Sequence, residues 1–415
     1  MLSEFFDSPL RVQELRDSPG GHLLEGFAQE LFKSGYAEIT ARRHIRAAEH
    51  FMYWKGREGI PASSLNEQLH DLFGGHLGRC QCPGYGDTHR LEILNGVRLF
   101  LRHLRSAGVI TTSGAETKEQ DPVLLDAFNE WMRQQRGTSD RTLYNYSISI
   151  RSLLKRFGED PGRYDAQSLR EFVLENSQKR GWAAAKTCTT ALRMFLRFLI
   201  AESKCPAGLD AAIPVLAHWR LSSLPRYLQS DEVERVIASC DSATKVGRRN
   251  HAILLLLARL GLRAGDIVRL RLGDLDWTGA WIHVSGKGRR QTRLALTQEV
   301  GDAVVAYLRD GWPRTATDVL FVRSRAPFRA FKSHSAISVI VAQAMRRAGV
   351  TCPSRGAAHV LRHSLATSML RNGASLQEIA VVLRHRSIET TQIYAKVDVT
   401  ALRQIAQPWP EVRSC

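Results

Sequence analysis

Two seven-residue stretches of this chain are near copies of one another: RLFLRHL from Arg98 to Leu104 and RMFLRFL from Arg193 to Leu199. Near copies at that separation signal a repeated structural unit, which restricts the fold before any other feature does. The upstream segments obey the same logic. In TARRHIRAAEHFMYW, Thr40 to Trp54, the residues Ala41, Ile45, Ala48 and Met52 fall on one helical face. In TLYNYSISIRSLLKRF, Thr142 to Phe157, so do Leu143, Ser147, Ile150 and Leu154. Gly35 and Gly137 place a turn ahead of each unit. Two consecutive all-helical modules are expected, 1–112 and 120–215, the first a repeat of the design of the second. Their polar faces carry Arg42, Arg43 and Arg46 in one and Arg141, Arg151 and Lys155 in the other. Faces of this kind neutralise phosphates along a duplex, although solvated, salt-bridged faces have the same sequence pattern.

Charge narrows the partner. A formal net charge of +17, spread along 415 residues, points to a polyanion but does not choose between DNA, RNA and an anionic membrane. The longest apolar run, AILLLLA from Ala252 to Ala258, is too short to span a bilayer. The amino terminus, MLSEFFDSPL, places acids before any apolar run, unlike a secretory leader, so a cytoplasmic address is expected. Seven cysteines, mostly scattered, argue against a disulfide framework. One stretch, HLGRCQCPGYGDTH, offers the zinc-type ligands His76, Cys80, Cys82 and His89. Their spacing matches no common zinc pattern, and a surface loop with incidental cysteines is the expectation.

Pro206, Pro214 and Pro225 punctuate the chain before a third domain, 222–415. It opens at LQSDEVERVI, with Ser230 as the expected N-cap. A hydrophobic helix, HAILLLLARLG, ends at Gly261. Then comes a meander of short strands, LDW, AWIHVSG and TRLAL, with turns at Thr278–Gly279 and Gly286–Gly288. The remainder is helical and includes a capping box, Ser375 to Glu378, after a stop at Gly373. The fold class is mainly α with one small antiparallel β-sheet in this third domain.

Four islands of this domain bear chemistry. GLRAGDIVRL carries Arg263, with Asp266 placed to hold its guanidinium. SGKGRRQTR sets Lys287 at a strand–turn–strand tip between glycines that permit close approach of a ligand, with Arg289 and Arg290 beside it. HVLRH sets His359 and Arg362 on one helical face, followed by His363. LRHRSIETTQIY carries His385 and Tyr394. Transfer of a phosphoryl group onto a side chain needs such an inventory: a nucleophile, cations for the non-bridging oxygens and a proton donor for the leaving oxygen. Two arginines grip a phosphate in planar forks; lysine and histidine move protons; a tyrosine oxygen can hold a phosphodiester. No carboxylate cluster or Walker-type loop stands beside these residues, so the chemistry is expected to run without metal, nucleotide or other cofactor.

The order Arg263, Lys287, His359-x-x-Arg362, His385 and Tyr394, in the wording GLRAGD, GKGRR, HVLRHSLAT and TTQIY, resembles the tyrosine recombinase (phage integrase) family. The resemblance covers 222–400, and 120–215 is similar to that family's helical core-binding domain. It implies that Tyr394 attacks a DNA phosphate to give a 3′-phosphotyrosyl link and a free 5′-hydroxyl. Arg263 and Arg362 would clamp the phosphate, Lys287 would protonate the leaving oxygen, His359 would assist proton transfer and His385 would bond the transition state. Asp266 would position Arg263, and His363 would play a supporting, structural part. Arg141, Arg151, Lys155, Arg289 and Arg290 would meet the duplex. One departure is Arg384, where the family usually has glycine. The resemblance further implies double-stranded DNA as substrate, four protomers on two duplexes, and service to a mobile element, with companion recombinases an open question. In the carboxyl tail VTALRQIAQPWPEVRSC, Leu402, Ile405 and Trp409 would dock on a neighbouring protomer. A relaxing topoisomerase with a similar residue set and a non-catalytic DNA-binding partner are the alternative functions.

Overall fold

The structure is a computed structural model that describes residues 1–61, 64–85, 89–110, 121–215, 224–285, 291–313, 315, 317–353 and 356–397. It is mainly helical, with one three-stranded antiparallel sheet. By contact density the chain divides into two compact units, 1–111 with 221–415, and 112–220. The expected module boundaries near 112–120 and 215–222 fall largely on residues outside those described.

The amino-terminal stretch forms α1 (Pro9–Asp17), α2 (Gly21–Lys33), α3 (Glu38–Arg57), α4 (Glu67–Leu77) and α5 (Arg90–Ser106). The predicted face of α3 is the buried one: Ala41, Ile45, Ala48 and Met52 all lie in the core. From α5, Phe100, Leu101 and Leu104 of the RLFLRHL stretch pack against it. Asn66 caps α4 by accepting from the backbone N–H of Leu69 at 3.1 Å.

Residues 121–215 hold α6 (Val123–Arg136), α7 (Asp140–Phe157), α8 (Ala166–Arg180) and α9 (Trp182–Ala201). Leu143, Ser147, Ile150 and Leu154 are buried on α7, as their period predicts. Phe195, Leu196 and Leu199 from RMFLRFL occupy the places in this core that Phe100, Leu101 and Leu104 occupy in the first. The packing scheme repeats as well: α3 lies on α5 and α4 on α5, just as α7 lies on α9 and α8 on α9. Gly137, with φ of +56°, ends α6 in the left-handed conformation that glycine adopts without strain.

The last stretch is built around α11 (Lys245–Ala258), which follows α10 (Ser230–Ala238). From Ala252 to Leu257 every residue of α11 is fully buried, so the second half of this helix is apolar all round and forms the centre of the domain. After it come α12 (Ala264–Arg269), strands β1 (Leu275–Asp276), β2 (Trp281–Ser285) and β3 (Gln291–Ala295), then α13 (Gln298–Asp310), α14 (Ser335–Arg347), α15 (Ala357–Arg371) and α16 (Leu376–Val382). The sheet order is β1-β2-β3, with Leu275 opposite Ile282 and Ile282 opposite Leu294, which puts Ile282 and Val284 into the core. The Ser375–Glu378 capping box forms as expected, at 2.8 and 3.2 Å. Ser230 is not the cap of α10. It is the first helical residue, and Glu232 turns back to accept from the backbone N–H of Gln229 at 2.9 Å. No described helix is long and apolar enough to cross a membrane.

Candidate active site

Gly261 begins the site. Its φ is +57°, and a Cβ there would meet Leu383 and Leu365 at 2.8 and 2.9 Å, so only glycine fits. Two residues on, Arg263 is the N-cap of α12, half-buried, with its guanidinium donating to the carbonyl of Arg384 at 3.0 Å. α15 crosses behind and presents His359, Arg362 and His363 within one turn. Arg362 is 4% exposed and donates to the carbonyls of Gly261 and Leu383, which bracket the site. Burial and the neighbouring Arg263 charge pull its pKa down to about 9.

Tyr394 lies in the short 3₁₀ segment Gln392–Val397 and is 1% exposed. Its hydroxyl is 2.7 Å from Nδ1 of His363. Burial pushes its pKa up to about 12, against the opposing pull of Arg362. Burial, with the charges of His359 and Arg362, lowers His363 to about 4, so its imidazole is neutral near pH 7 and can accept the phenolic hydrogen bond. His385 is likewise pushed to about 4, by burial and then by Arg362 and Arg263, while its Nδ1 sits 2.8 Å from the hydroxyl of the fully buried Thr391. His359 is exposed at the mouth, its pKa lowered by partial desolvation and by Arg362, His334 and Arg263.

These placements bring together Arg263, His359, Arg362, His363, His385 and Tyr394 around one phenol. His363, expected to be structural, is the side chain bonded to the phenol oxygen. Thr391 carried no signal in the sequence beyond its place in the TTQIY stretch. Asp266 does not bond Arg263: its buried carboxylate accepts from Arg269 at 2.9 Å and from Arg384 at 2.7 Å. It therefore reaches Arg263 through Arg384, whose carbonyl Arg263 holds. Arg384 itself has φ of +53°, the region in which glycine is at ease, so the departure from glycine carries a backbone strain offset by a buried ion pair. Its Nε and Nη1 atoms are buried with no hydrogen-bond partner. Lys287, Arg289 and Arg290 lie outside the described residues, as do Leu402, Ile405 and Trp409 of the tail.

Around the phenol the cations outnumber the anions. Arg263, Arg362 and Arg384 face one carboxylate, and the lowered pKa values of Arg263, Arg362, His359 and His385 all register that excess together with burial. Such a pocket favours an anion with several oxygens.

Of the basic residues on the helical modules, Arg141 and Lys155 are exposed, Arg141 lying 5.6 Å from the centre of the Tyr144 ring. Arg151 is held by Asp121 through two bonds of 2.6 and 2.8 Å, and Arg42 by Asp7 and the carbonyl of Phe5, so these two are engaged within the protein.

The described phage integrase family model matches residues 226–400. A Sinorhizobium fredii protein named integrase/recombinase y4rA is 38% identical over 99% of this chain and 99% of its own length. The chain belongs to the phage integrase, or tyrosine recombinase, family. A second relative, tyrosine recombinase XerC of Lactobacillus delbrueckii subsp. bulgaricus, is 28% identical over 67% of this chain and 96% of its own. Among solved structures, XerH site-specific recombinase bound to palindromic difH substrate in a post-cleavage complex is 17% identical. It covers 83% of this chain and 95% of its own, with a TM-score of 0.55. A lambda integrase dimer (residues 75–356) bound to a COC′ core site is 18% identical over 70% and 98%, with a TM-score of 0.53. At those identities the likeness is one of fold. This tyrosine recombinase thus has both the family's catalytic fold and a helical amino-terminal region.

Proposed function

We propose that this recombinase cuts and rejoins double-stranded DNA through a tyrosyl phosphodiester, in the service of integration or transposition of a mobile element. The observation that carries the reading is the Tyr394 hydroxyl held by His363 beside Arg362, with Arg263, His359 and His385 grouped around that arginine. In the reaction, the phenol oxygen forms a bond to the scissile phosphorus and the P–O5′ bond breaks. The phenolic proton passes to the neutral imidazole of His363, 2.7 Å away. Arg263 and Arg362 carry the charge on the non-bridging oxygens, with His385 as a further donor and His359 assisting proton transfer. Lys287 delivers a proton to the departing 5′-oxygen. One ester replaces another, so the energy of the broken bond is retained for rejoining.

The phenol is almost fully buried in the free protein, and its high pKa keeps it neutral. A bound phosphate supplies the missing anion and relieves the repulsion among the arginines. On this reading residues 120–215, with Arg141 and Lys155 exposed, also grip the duplex, and two duplexes are paired by four protomers.

The test is a set of nicked duplexes tiled across the DNA flanking the protein's own reading frame. The wild type should leave an SDS-stable protein–DNA adduct on a subset, and Tyr394→Phe none. A wild type that binds such duplexes and leaves no adduct, or an adduct that survives Tyr394→Phe, would overturn the proposal.

A further inference from the structure

The amino-terminal module holds a second histidine cluster, which includes two cysteines and has Arg57 beside Cys82. The side chains of His50, His76, Cys80 and Cys82 each offer one ligand atom, and these four atoms lie within 4.8 Å of one another. His50 is on α3, His76 in the last turn of α4, and both cysteines are in the connection from α4 to α5. Sγ of Cys80 is 3.3 Å from Nε2 of His50, and Sγ of Cys82 is 3.4 Å from Nε2 of His76. A tetrahedral zinc ion with its usual bond lengths sets sulfur and nitrogen ligands about 3.5 Å apart. The backbone N–H of Cys82 points to Sγ of Cys80 at 3.4 Å, a donor that favours the thiolate.

We propose that these four residues bind a structural zinc ion. Two thiolates balance the dication and two neutral imidazoles complete the set, so the filled site has no net charge and no open position for substrate. That combination marks a structural rather than a catalytic ion. The surrounding shell is largely aromatic, with His50 and Cys82 buried and His76 and Cys80 partly exposed. Tyr85 stacks on His50 at 4.3 Å between ring centres, Phe73 meets the edge of His50 at 5.1 Å, and Trp54 lies 5.7 Å from His76. Two separate thiol–imidazole hydrogen bonds would satisfy each pair alone, but they give no reason for the two pairs to converge.

The sequence hid this site because one ligand is distant. His89 is the fourth zinc-type ligand of the HLGRCQCPGYGDTH stretch, in which a loop with incidental cysteines is the expectation, yet it is exposed at the start of α5, outside the cluster. His50 takes its place from the preceding long helix. The ion joins α3, α4 and the cysteine-bearing connection, a long loop that has little apolar content of its own to hold it in place.

The experiment uses the full-length protein, purified under reductant and analysed for metal by mass spectrometry. One zinc per chain is expected. His50→Ala and Cys80→Ser/Cys82→Ser should lose it, and His89→Ala should keep it. Since ligand variants can misfold, the wild type is also stripped with chelator and titrated with cobalt(II). Tetrahedral ligand-field bands with thiolate charge transfer should saturate at one equivalent and be displaced by zinc. Stripped wild type without those bands, or an ion that survives His50→Ala and disappears in His89→Ala, would overturn the proposal.

Discussion

Two histidine clusters in this chain are opposite electrostatic problems. Around Tyr394, neutral His363 and His385 stand among Arg263, Arg362 and Arg384, and what is missing is an anion. Around His50 and His76, the same side chain stands with two thiols among aromatic rings, and what is missing is a cation. Imidazole suits both because it is neutral near pH 7, free either to accept a proton or to bind a metal. The company it keeps decides which. Arginine cannot give up its charge and so commits the first cluster to phosphate; cysteine becomes an anion when a metal arrives and commits the second to zinc.

The largest effects should follow from removing the committing groups of the first cluster. Tyr394→Phe has no oxygen to form the ester, and adduct formation should disappear altogether while DNA binding remains. Arg362→Lys keeps a charge but loses the planar fork that spans the Gly261 and Leu383 carbonyls. Adduct formation should fall about 10²–10³-fold, measured at saturating DNA, in the range of losing one preorganised donor. Neither change should alter the zinc content, which keeps the two clusters independent.

The next effect runs the other way. Chelation, or Cys82→Ser, should lower the melting temperature of the amino-terminal module by on the order of 10 °C, since a structural ion contributes several kcal/mol to a small domain. The adduct formed per molecule of bound DNA should stay as it was. A chelator that blocks cleavage of DNA already bound would break the comparison, because the metal would then serve the reaction and not the fold.

Acid should separate the free from the DNA-bound reaction site. His363 and His385 have folded pKa values of about 4, below the unfolded value of about 6.5. Between those values the unfolded chain binds more protons, so stability falls as pH drops through that window and is fully present above it. The acid limb of adduct formation should lie above that of the free protein, because a bound phosphate raises the pKa of every histidine facing it. A pH series of melting curves beside one of adduct rates measures both.

The legibility of the two clusters differed for a physical reason. The described part of the reaction site is carried by three short stretches, each with its own signal: GLR at a helix stop, HVLRH within one helical turn, and LRHRSIETTQIY with its histidine and tyrosine. The faces of α3 and α7 and the β-meander were equally plain, because periods of 3.6 and 2 residues are local properties. Packing between distant segments was not. Nothing local announces that His50 meets Cys80 across α3 and α4, that Asp266 is shared by Arg269 and Arg384, or that His363 holds the phenol. The polar faces are ambiguous in the way their pattern allows: Arg42 and Arg151 have the pattern of phosphate contacts, and in the free protein acids of their own modules engage them.

The smallest effect tests the join between strain and charge at Arg384. Replacing it with glycine removes a left-handed non-glycine residue, a gain of about 1 kcal/mol. The same change takes one partner from buried Asp266, which keeps Arg269 at 2.9 Å. Losing a buried partner outright costs about 3–5 kcal/mol; with a second cation still in place the cost is smaller. Arg384→Gly should therefore destabilise by about 1–2 kcal/mol net, read from denaturant midpoints. In Asp266→Asn the arginine has no ion pair to lose, so Arg384→Gly on that background should be neutral or stabilising. The carbonyl that holds Arg263 belongs to the backbone and survives the substitution, so adduct formation should fall less than in Arg362→Lys. A larger fall would mean that the unpartnered Nε and Nη1 atoms of Arg384 meet the phosphate themselves.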